Sequence, residues 1–405
     1  MQKWKIQSGL ATDINIKKWN KMKIKLFIAF LFLILTISVS SFFLYNNREQ
    51  STEENIKRVE NFTENIVKQS QKEHVLIWDR ENITTEWNYY TGFMMYALLK
   101  TTLYNDFVEK YYNDNILPNG NVRFYKKGEL DSVLPALNLY YIDKKKYKPT
   151  IDYVYKQLLS QPKIAELGNN YAHKTNNNAW VLFPVATDGT YMTFLFLAEH
   201  KDFNFVYEKL KWYTEHLKKD NGLYSHGITY HGKQNKITWL RGIGWYAMAQ
   251  VEVIERFPEG KQKEDLKKNL VPFFDNMLKY RDKKSKMWTN VVNPKNKRLK
   301  DNRLETSGSA MMAYSMLKAC NNGYISEKYC TYGIETFNGI VNKNLKNNKL
   351  KNIYLSSSVK MLEDEYSVNP YVENDAKGIA PLILAALEAK KFNTRHHKIQ
   401  TQDAR

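Results

Sequence analysis

Apolar residues with helical spacing recur along nearly the whole chain after Trp78, and no other feature limits its fold as strongly. Side chains three or four positions apart lie on one face of a helix, so each such segment predicts a helix with a buried face. Few runs alternate as a strand does; Tyr224–Tyr230 is a short example. The predicted helices are Tyr90–Tyr104, Val133–Ile142, Ile151–Leu159, Thr190–Glu199, Phe205–Leu217, Trp245–Arg256, Leu266–Arg281, Ser309–Asn321, Glu327–Val341 and Gly378–Lys390.

These helices recur in pairs, roughly every 35 to 55 residues, with short turns between them, as stacked helical hairpins do. No segment rich in Pro and Gly divides them, so residues 78–392 are predicted to form one all-α domain. The polar tail at 393–405 is expected to fray.

The N-terminal segment carries a topological signal. Residues 26–45 contain no charged side chain and are just long enough to cross a bilayer as a helix. Lysines crowd the residues before this run and only Arg48 closely follows it, a bias that places the N-terminus in the cytoplasm. We expect a cytoplasmic basic tail (1–25), an uncleaved transmembrane signal anchor (26–45), and the remainder in the periplasm or outside the cell. The alternative is a cleavable signal peptide with Ser38 and Ser40 at its cleavage site.

The segment that follows the apolar run, residues 46–77, is polar but amphipathic. Its few apolar side chains stand at helical spacing, which predicts either a stalk or a first packing helix. These side chains are Ile56, Val59, Phe62, Ile66 and Val67.

The formal net charge of +19 narrows the class of partner. Basic proteins bind nucleic acid, anionic lipid or acidic polymers. The sequence has no zinc-finger spacing, recognition-helix pattern or RNA-binding aromatic motif, which argues against nucleic acid. Either the charge attracts an acidic polymer or the lysines are merely solvated.

Two cysteines, Cys320 and Cys330, flank a predicted turn between helices. Two thiols do not make a metal site. They either pair in an oxidising compartment or remain two separate buried thiols, and we favour the separate thiols.

Several polar clusters stand in the segments between helices. Asp131 and Asp188 each precede an apolar helix, where an Asp usually caps the free N–H groups of the first turn. The segment 239–245 (WLRGIGW) concentrates two indoles, a guanidinium and two glycines. It is either the start of a packed helix or a sugar subsite, in which indoles stack on sugar rings and Arg binds a carboxylate. His173 and His226 lie in polar turns nearby.

Together these clusters resemble the unsaturated glucuronyl and rhamnogalacturonyl hydrolases, glycoside hydrolase families 88 and 105. The resemblance covers about Trp87 to Leu387, and the motifs follow the order and spacing of the family. They are WNYYTG at 87–92, LDS at 130–132, TDGTYM at 187–192, GLYSHG at 222–227, WLRGIGW at 239–245, LETSGSA at 304–310 and ENDAKG at 373–378.

The resemblance implies an (α/α)6 barrel, six helical hairpins in a ring with the active site at one end. It also implies the reaction. These enzymes take products of polysaccharide lyases, which carry a C4–C5 double bond next to the uronate carboxylate. They hydrate that double bond, and the resulting hemiketal collapses to release the neighbouring sugar.

By position in the motifs, Asp188 resembles the catalytic acid and base of the family and Asp131 its second aspartate. An acid at near-neutral pH requires a raised pKa, so we expect burial and the charge of Asp131 to raise the pKa of Asp188. Neither proton transfer nor water attack needs a metal or a cofactor, and none is predicted. The predicted substrate-binding residues are His173, His226, Trp239, Arg241, Trp245, Trp87 and Tyr191.

The chain departs from the family pattern at four positions near the predicted pocket. Ile243 and Leu134 replace Asn, and Ala172 and Ala186 stand where Trp is common. The departures imply a different neighbouring sugar, a reshaped uronate subsite, or weakened activity. Because both aspartates are present, we favour an active enzyme.

Two alternatives to hydration of an unsaturated uronide remain. The same barrel could carry an ordinary glycosidase or a lyase that acts on a surface polysaccharide. It could also be a non-catalytic protein that binds or assembles polysaccharide, which the four departures would suit. The sequence predicts neither the oligomeric state nor the identity of the neighbouring sugar.

Overall fold

The computed structural model describes residues 51–73, 76–78, 86–175 and 181–403, with side chains up to residue 395. The predicted cytoplasmic tail (1–25) and transmembrane anchor (26–45) lie outside these residues. Among the described residues, no helix combines the length and the apolar character needed to cross a membrane.

Helices make up most of the described chain, which confirms the all-α prediction. Short 3-10 turns at Leu130–Ser132, Ala165–Leu167 and Glu363–Ser367 supplement them. The α-helices are α1 Thr52–Glu73, α2 Tyr89–Thr101, α3 Asn105–Asn115, α4 Leu134–Leu137, α5 Leu139–Asp143, α6 Lys148–Leu159, α7 Asp188–Glu199, α8 Phe203–Leu217, α9 Leu240–Arg256, α10 Lys261–Lys267, α11 Leu270–Leu278, α12 Thr306–Asn321, α13 Lys328–Asn344 and α14 Ala376–Asp403.

Within the described chain, α2, α4, α7, α9, α12 and α14 form a closed inner ring. Each packs against the next in this order, and α14 packs back against α2. The remaining long helices lie outside: α1 contacts α13 and α14, α3 contacts α2, α6 contacts α4, α8 contacts α7, and α13 contacts α12.

Burial explains which helices are inner and which are outer. Every residue of α7 from Asp188 to Ala198 is buried, as is every residue of α9 from Leu240 to Ile254. A helix buried on all sides requires neighbours all round, whereas an amphipathic helix needs only one. The helix α1 is of the second kind, since its buried face is the apolar stripe predicted in segment 46–77.

The first turns of the inner helices meet at one end of the ring. A Cβ atom on Gly92 in α2 would lie 2.7 Å from Pro135 in α4. The guanidinium of Arg241 in α9 donates to the Ser307 hydroxyl of α12 over 3.2 Å. This end of the ring therefore brings together the segments that precede each inner helix.

Strands are short and occur as antiparallel pairs in the inter-helix segments: β1–β2, β3–β4, β5–β6 and β7–β8. In the β3–β4 pair, Val185 lies opposite Ile228 and Ala186 opposite Gly227. Of the predicted strand Tyr224–Tyr230, only the β4 residues are in a strand. The strands are β1 Lys163–Ile164, β2 Asn170–Tyr171, β3 Val185–Ala186, β4 Gly227–Ile228, β5 Leu345–Lys346, β6 Lys349–Leu350, β7 Ile353–Tyr354 and β8 Tyr371–Val372.

Several helix boundaries differ from prediction. The helices α7, α9 and α12 begin two to five residues earlier than predicted, because their first turns carry Asp, Gly, Arg and Ser, which mimic a loop. The helix α3 was not predicted; it is mostly polar and buries Val108, Tyr111, Tyr112 and Asn115. The helix α14 extends to Asp403, so the tail predicted to fray is helical to that residue.

The favoured prediction of two separate thiols is wrong. Cys320, near the end of α12, and Cys330, near the start of α13, form a disulfide with their Cα atoms 5.6 Å apart. A turn between the two helices folds α13 back along α12, and this brings residues ten apart in sequence into bonding distance.

Replacing Cys320 and Cys330 together by Ser is expected to lower the free energy of unfolding by about 2–3 kcal/mol, because the bridge restricts the unfolded chain. Urea denaturation followed by circular dichroism measures this loss. The wild-type protein in reductant should unfold at the midpoint of the double variant, and reductant should not shift the variant further. A wild-type midpoint that reductant leaves unchanged would contradict the bridge.

Candidate active site

Backbone hydrogen bonds join successive inter-helix segments at the end of the ring where the inner helices begin. The Leu130 N–H donates to the His173 carbonyl over 2.9 Å, and the His173 N–H donates to the Pro184 carbonyl over 2.8 Å. The Thr187 N–H then donates to the His226 carbonyl over 2.9 Å, beside the β3–β4 pair. This ladder brings the segments of both predicted aspartates and both predicted histidines side by side.

Asp188 is the first residue of α7 and pairs with His226. Its Oδ2 lies 2.7 Å from Nε2 of His226, and its side chain keeps 12% exposure. Burial alone would raise the pKa of Asp188, but the electrostatic attraction and hydrogen bond of His226 outweigh it and hold the pKa below its ordinary value. In the described part of the chain, Oδ1 of Asp188 accepts no hydrogen bond.

Asp131 lies in the short 3-10 turn before α4 and is held by two basic groups. One oxygen is 3.2 Å from Nε2 of His173, and the other is 2.7 Å from Nζ of Lys174. Burial would raise the pKa of Asp131, but Lys174 and His173 outweigh it and hold the pKa well below its usual range. Asp131 is therefore an ionised carboxylate at neutral pH.

The two carboxylates interact, as the sequence predicted, but the net effect on Asp188 differs. The charge of Asp131 does raise the pKa of Asp188, and so does burial. The expected net rise is nevertheless contradicted, because His226 contacts Asp188 directly and its effect is larger. No sequence pattern indicated that this histidine would pair with the carboxylate.

His226 and Trp239 lie behind Asp188, away from solvent. His226 is completely buried, and its second ring nitrogen, Nδ1, is 2.7 Å from the Tyr366 hydroxyl. Both ring nitrogens thus contact protein groups. Contact of His226 with sugar or water remains a prediction. The Trp239 indole lies 4.8 Å from the His226 ring and donates its N–H to Asn290.

Arg241, predicted to bind the substrate, is only 2% exposed. Its guanidinium lies over the Trp239 ring and donates to the backbone carbonyls of Tyr354 and Leu355. These contacts hold the segment after β7 against the start of α9. Substrate binding by Arg241 remains a prediction.

The other predicted aromatic residues are also nearly buried. Trp87 donates its indole N–H to the Ser132 carbonyl over 2.7 Å and so supports the turn that carries Asp131. Trp245 and Tyr191 lie with their rings 5.1 Å apart and both are at most 1% exposed. Substrate binding by these three residues likewise remains a prediction.

The side chains at the four positions that depart from the family pattern are buried in apolar surroundings. Ile243, Leu134, Ala172 and Ala186 are each at most 3% exposed. Ala186 packs with Phe183 and Val359 in a small apolar cluster. Ala186 stands where Trp is common in the family. Val359, from the segment after β7, occupies space beside this smaller side chain.

The main site residues that the sequence did not predict are Tyr366 and Asn235, which contact each other and lie beside His226. The Asn235 amide nitrogen lies 3.1 Å from the Tyr366 hydroxyl. Neither residue belongs to a motif, and Tyr366 reaches the site from a segment 140 residues after His226. Among the described residues, no group of three or more His, Cys, Asp or Glu could hold a metal ion.

Comparison with known proteins adds to this geometry. The family model described as Glycosyl Hydrolase Family 88 matches residues 50–393. A family 105 glycoside hydrolase of C. acetobutylicum ATCC 824 is 27% identical, with a TM-score of 0.68, and covers 76% of this chain and 96% of its own.

Two further solved structures share the fold. A possible family 105 member from Klebsiella pneumoniae has a TM-score of 0.69 at 19% identity, over 85% of this chain and 95% of its own. The unsaturated glucuronyl hydrolase of Bacillus sp. GL1, described as responsible for glycosaminoglycan degradation, has a TM-score of 0.56 at 12% identity, over 83% of this chain and 96% of its own. The likenesses confirm the predicted (α/α)6 barrel.

Replacing Lys174 by Met should leave Asp131 buried without its nearest cation. The folded pKa of Asp131 lies below its unfolded value of about 3.9, so its contribution to stability is complete above that value and is lost as the pH falls through the folded pKa. The variant should therefore lose on the order of 3 kcal/mol of unfolding free energy at pH 7 and show a shallower decline in acid.

Urea denaturation between pH 7 and pH 3 measures both effects. The matched control is Lys110→Met, because Lys110 pairs with Asp114 on the surface and its side chain is 72% exposed. That variant should follow the wild-type curve. Equal curves for the Lys174 variant and the wild type would contradict the assigned environment of Asp131.

Proposed function

This chain belongs to glycosyl hydrolase family 88, and from that membership and the site geometry we propose its reaction. The enzyme removes a 4,5-unsaturated uronic acid from the non-reducing end of an acidic oligosaccharide by hydrating the C4–C5 double bond. The observation that carries the proposal is a pair of electrostatically interacting carboxylates at the end of the barrel where the inner helices begin: Asp188 against His226 and Asp131 against Lys174.

The chemistry needs one group that first gives and then takes a proton. The Asp188 carboxyl donates its proton to C4, and the positive charge that develops at C5 is shared with the ring oxygen. Water then adds at C5 and returns a proton to Asp188, so that one water molecule is added in total. A single positioned carboxyl group can serve as acid and then as base in this way. The resulting hemiketal collapses and releases the neighbouring sugar.

The surroundings of Asp188 support this assignment. Its Oδ2 is held by His226, while Oδ1 accepts no hydrogen bond from the described residues. Asp131 stays ionised, and its charge, together with burial, opposes the lowering of the Asp188 pKa by His226. We assign to Asp131 the binding of sugar hydroxyls as well, since an ionised carboxylate only accepts hydrogen bonds and hydroxyls donate them.

The anionic uronate is suited to this end of the barrel. The inner helices all begin there, and helix N-termini favour negative charge. The chain as a whole is strongly basic, which helps to collect acidic oligosaccharides.

The variant Asp188→Asn should lose about 10²- to 10⁴-fold in kcat, because the amide cannot deliver or accept the proton. The assay follows the loss of ultraviolet absorbance of the double bond in lyase-generated oligosaccharides. The control Asp152→Asn changes an exposed carboxylate that pairs with Lys148, and it should retain full activity.

Other outcomes of this assay would replace the proposal. New ultraviolet absorbance from a saturated polysaccharide would show a lyase, and new reducing ends without any absorbance change would show a glycosidase on saturated sugar. Binding without turnover on a broad panel, together with unchanged cellular function of Asp188→Asn, would show a polysaccharide-binding or assembly protein.

We also propose that residues 26–45 anchor the enzyme in the membrane, with the barrel on the non-cytoplasmic side. The uncharged run and the lysines before it support this orientation. The Cys320–Cys330 disulfide also supports it, because such bonds form and persist in oxidising compartments.

Cell fractionation tests the anchor. The full chain should stay in the membrane pellet after an alkaline wash, and protease added outside the cytoplasmic membrane should digest the barrel domain. Replacing residues 1–50 by a cleavable signal peptide should release the domain into the soluble fraction, where it should retain activity. Recovery of the full chain in the soluble fraction would refute an uncleaved anchor.

A further inference from the structure

The hydroxyl group of Tyr366 lies among three polar groups in a place that solvent does not reach. Tyr366 belongs to the 3-10 turn Glu363–Ser367, and its side chain is completely buried. The hydroxyl oxygen is 2.7 Å from Nδ1 of His226, 3.1 Å from Nδ2 of Asn235 and 3.1 Å from the backbone nitrogen of Lys360. The direction of each hydrogen bond decides the protonation state of His226.

The orientation of the Asn235 amide follows from its backbone neighbours. Its Nδ2 is 3.1 Å from the Lys360 carbonyl oxygen, a group that can only accept. Its Oδ1 accepts from the backbone N–H groups of Gly227 and Ile237, each over 3.4 Å. A reversed amide would place oxygen against oxygen and NH₂ against two N–H groups. Asn235 therefore donates to Tyr366.

The hydroxyl of Tyr366 has one hydrogen to donate and two lone pairs to accept with. The Asn235 amide and the Lys360 N–H both donate to it and occupy its lone pairs. Its own hydrogen is then available only for its third neighbour, Nδ1 of His226. That nitrogen accepts the hydrogen bond, so it carries no proton, and the proton of the neutral ring is on Nε2, facing Asp188.

We propose that Tyr366 is a positioning residue that holds His226 as the neutral tautomer protonated on Nε2, so that His226 donates to Oδ2 of Asp188 and Oδ1 remains for the substrate. Asn235 and the backbone of Lys360 determine the direction of the Tyr366 hydroxyl. The catalytic meaning of this chain of hydrogen bonds rests on the proposed function, but the tautomer itself does not.

The arrangement suits a carboxyl group that has to donate a proton. A doubly protonated His226 would place a full positive charge 2.7 Å from Asp188 and lower its proton affinity strongly. A neutral ring lowers the proton affinity of Asp188 through the hydrogen bond alone, while burial and the charge of Asp131 raise it. Asp188 is the charged group that contacts His226, and Asp131 and His173 also act electrostatically on that carboxylate.

The phenol is a reliable donor in this position. Burial raises the pKa of Tyr366 well above its ordinary value, and the negative charge of Asp188 raises it further. The hydroxyl therefore keeps its hydrogen throughout the neutral range. A carboxyl or imidazole group in its place could lose or gain a proton at working pH.

Nitrogen-15 NMR of the full chain labelled on histidine rings tests the proposal without any substrate. Two-bond correlations to the ring protons identify which nitrogen is protonated, and His226→Asn assigns the signals. At neutral pH we expect a protonated Nε2 and an Nδ1 that accepts a hydrogen bond. A proton on Nδ1, in either a neutral or a charged ring, would overturn the proposal.

The variant Tyr366→Phe removes the donor and should shift the Nδ1 resonance. With an unsaturated substrate, kcat should fall roughly tenfold, the value of one hydrogen bond, while KM stays within about twofold. The control Tyr371→Phe removes a hydroxyl from the neighbouring apolar cluster of Tyr354 and Trp239 and should change neither readout. An unchanged Nδ1 resonance in Tyr366→Phe would also overturn the proposal.

The two hypotheses fail in different measurements. Absence of turnover by the wild-type protein on every unsaturated uronide tested would refute the proposed function. Its NMR spectrum would still identify the tautomer of His226. A wild-type spectrum with Nδ1 protonated would remove the role of Tyr366 even in a fully active enzyme.

Discussion

Six buried helices that begin at the same end of a ring face one physical requirement, which is to satisfy the free N–H groups of their first turns. Polar side chains meet it: Asn88 accepts from Thr91 N–H in α2, and Glu305 accepts from Ser307 and Gly308 N–H in α12. The same requirement concentrates acidic and amide groups where a pocket can form. Asp131 and Asp188 stand at two of these helix starts but do not cap them, since the first turns of α4 and α7 receive no side-chain cap and the two carboxylates contact basic side chains instead.

Two of these acidic groups differ because their neighbours differ. Asp131 is paired with a lysine and a histidine and stays ionised, whereas Asp188 meets one histidine and retains an oxygen without a partner in the described chain. Bases lower the pKa of both carboxyl groups, but the pKa of Asp131 lies well below its usual range because it has two basic partners. Unequal environments of this kind can separate an electrostatic role from a proton-transfer role. Here the separation depends on which base each carboxyl contacts.

Local patterns in the sequence predicted what depends on local physics. Helical spacing predicted the helices, and the motifs identified Asp131 and Asp188. Both kinds of pattern depend only on residues that lie close together in the sequence. The contacts of Tyr366, Asn235 and Val359 were not predictable, since they depend on how a distant segment folds back over the site. The predictions for the two cysteines and for the net pKa shift of Asp188 were wrong for the same reason, because each outcome depends on a tertiary neighbour.

Closure of the inner ring has a consequence for biosynthesis. The last inner helix, α14, packs against the first, α2, and the outer helix α1 packs against α13 and α14. During synthesis the early helices therefore lack packing partners until the last helices leave the ribosome. The closed inner ring cannot form from an N-terminal fragment. Contacts of such long sequence separation slow folding and lengthen exposure of apolar surface.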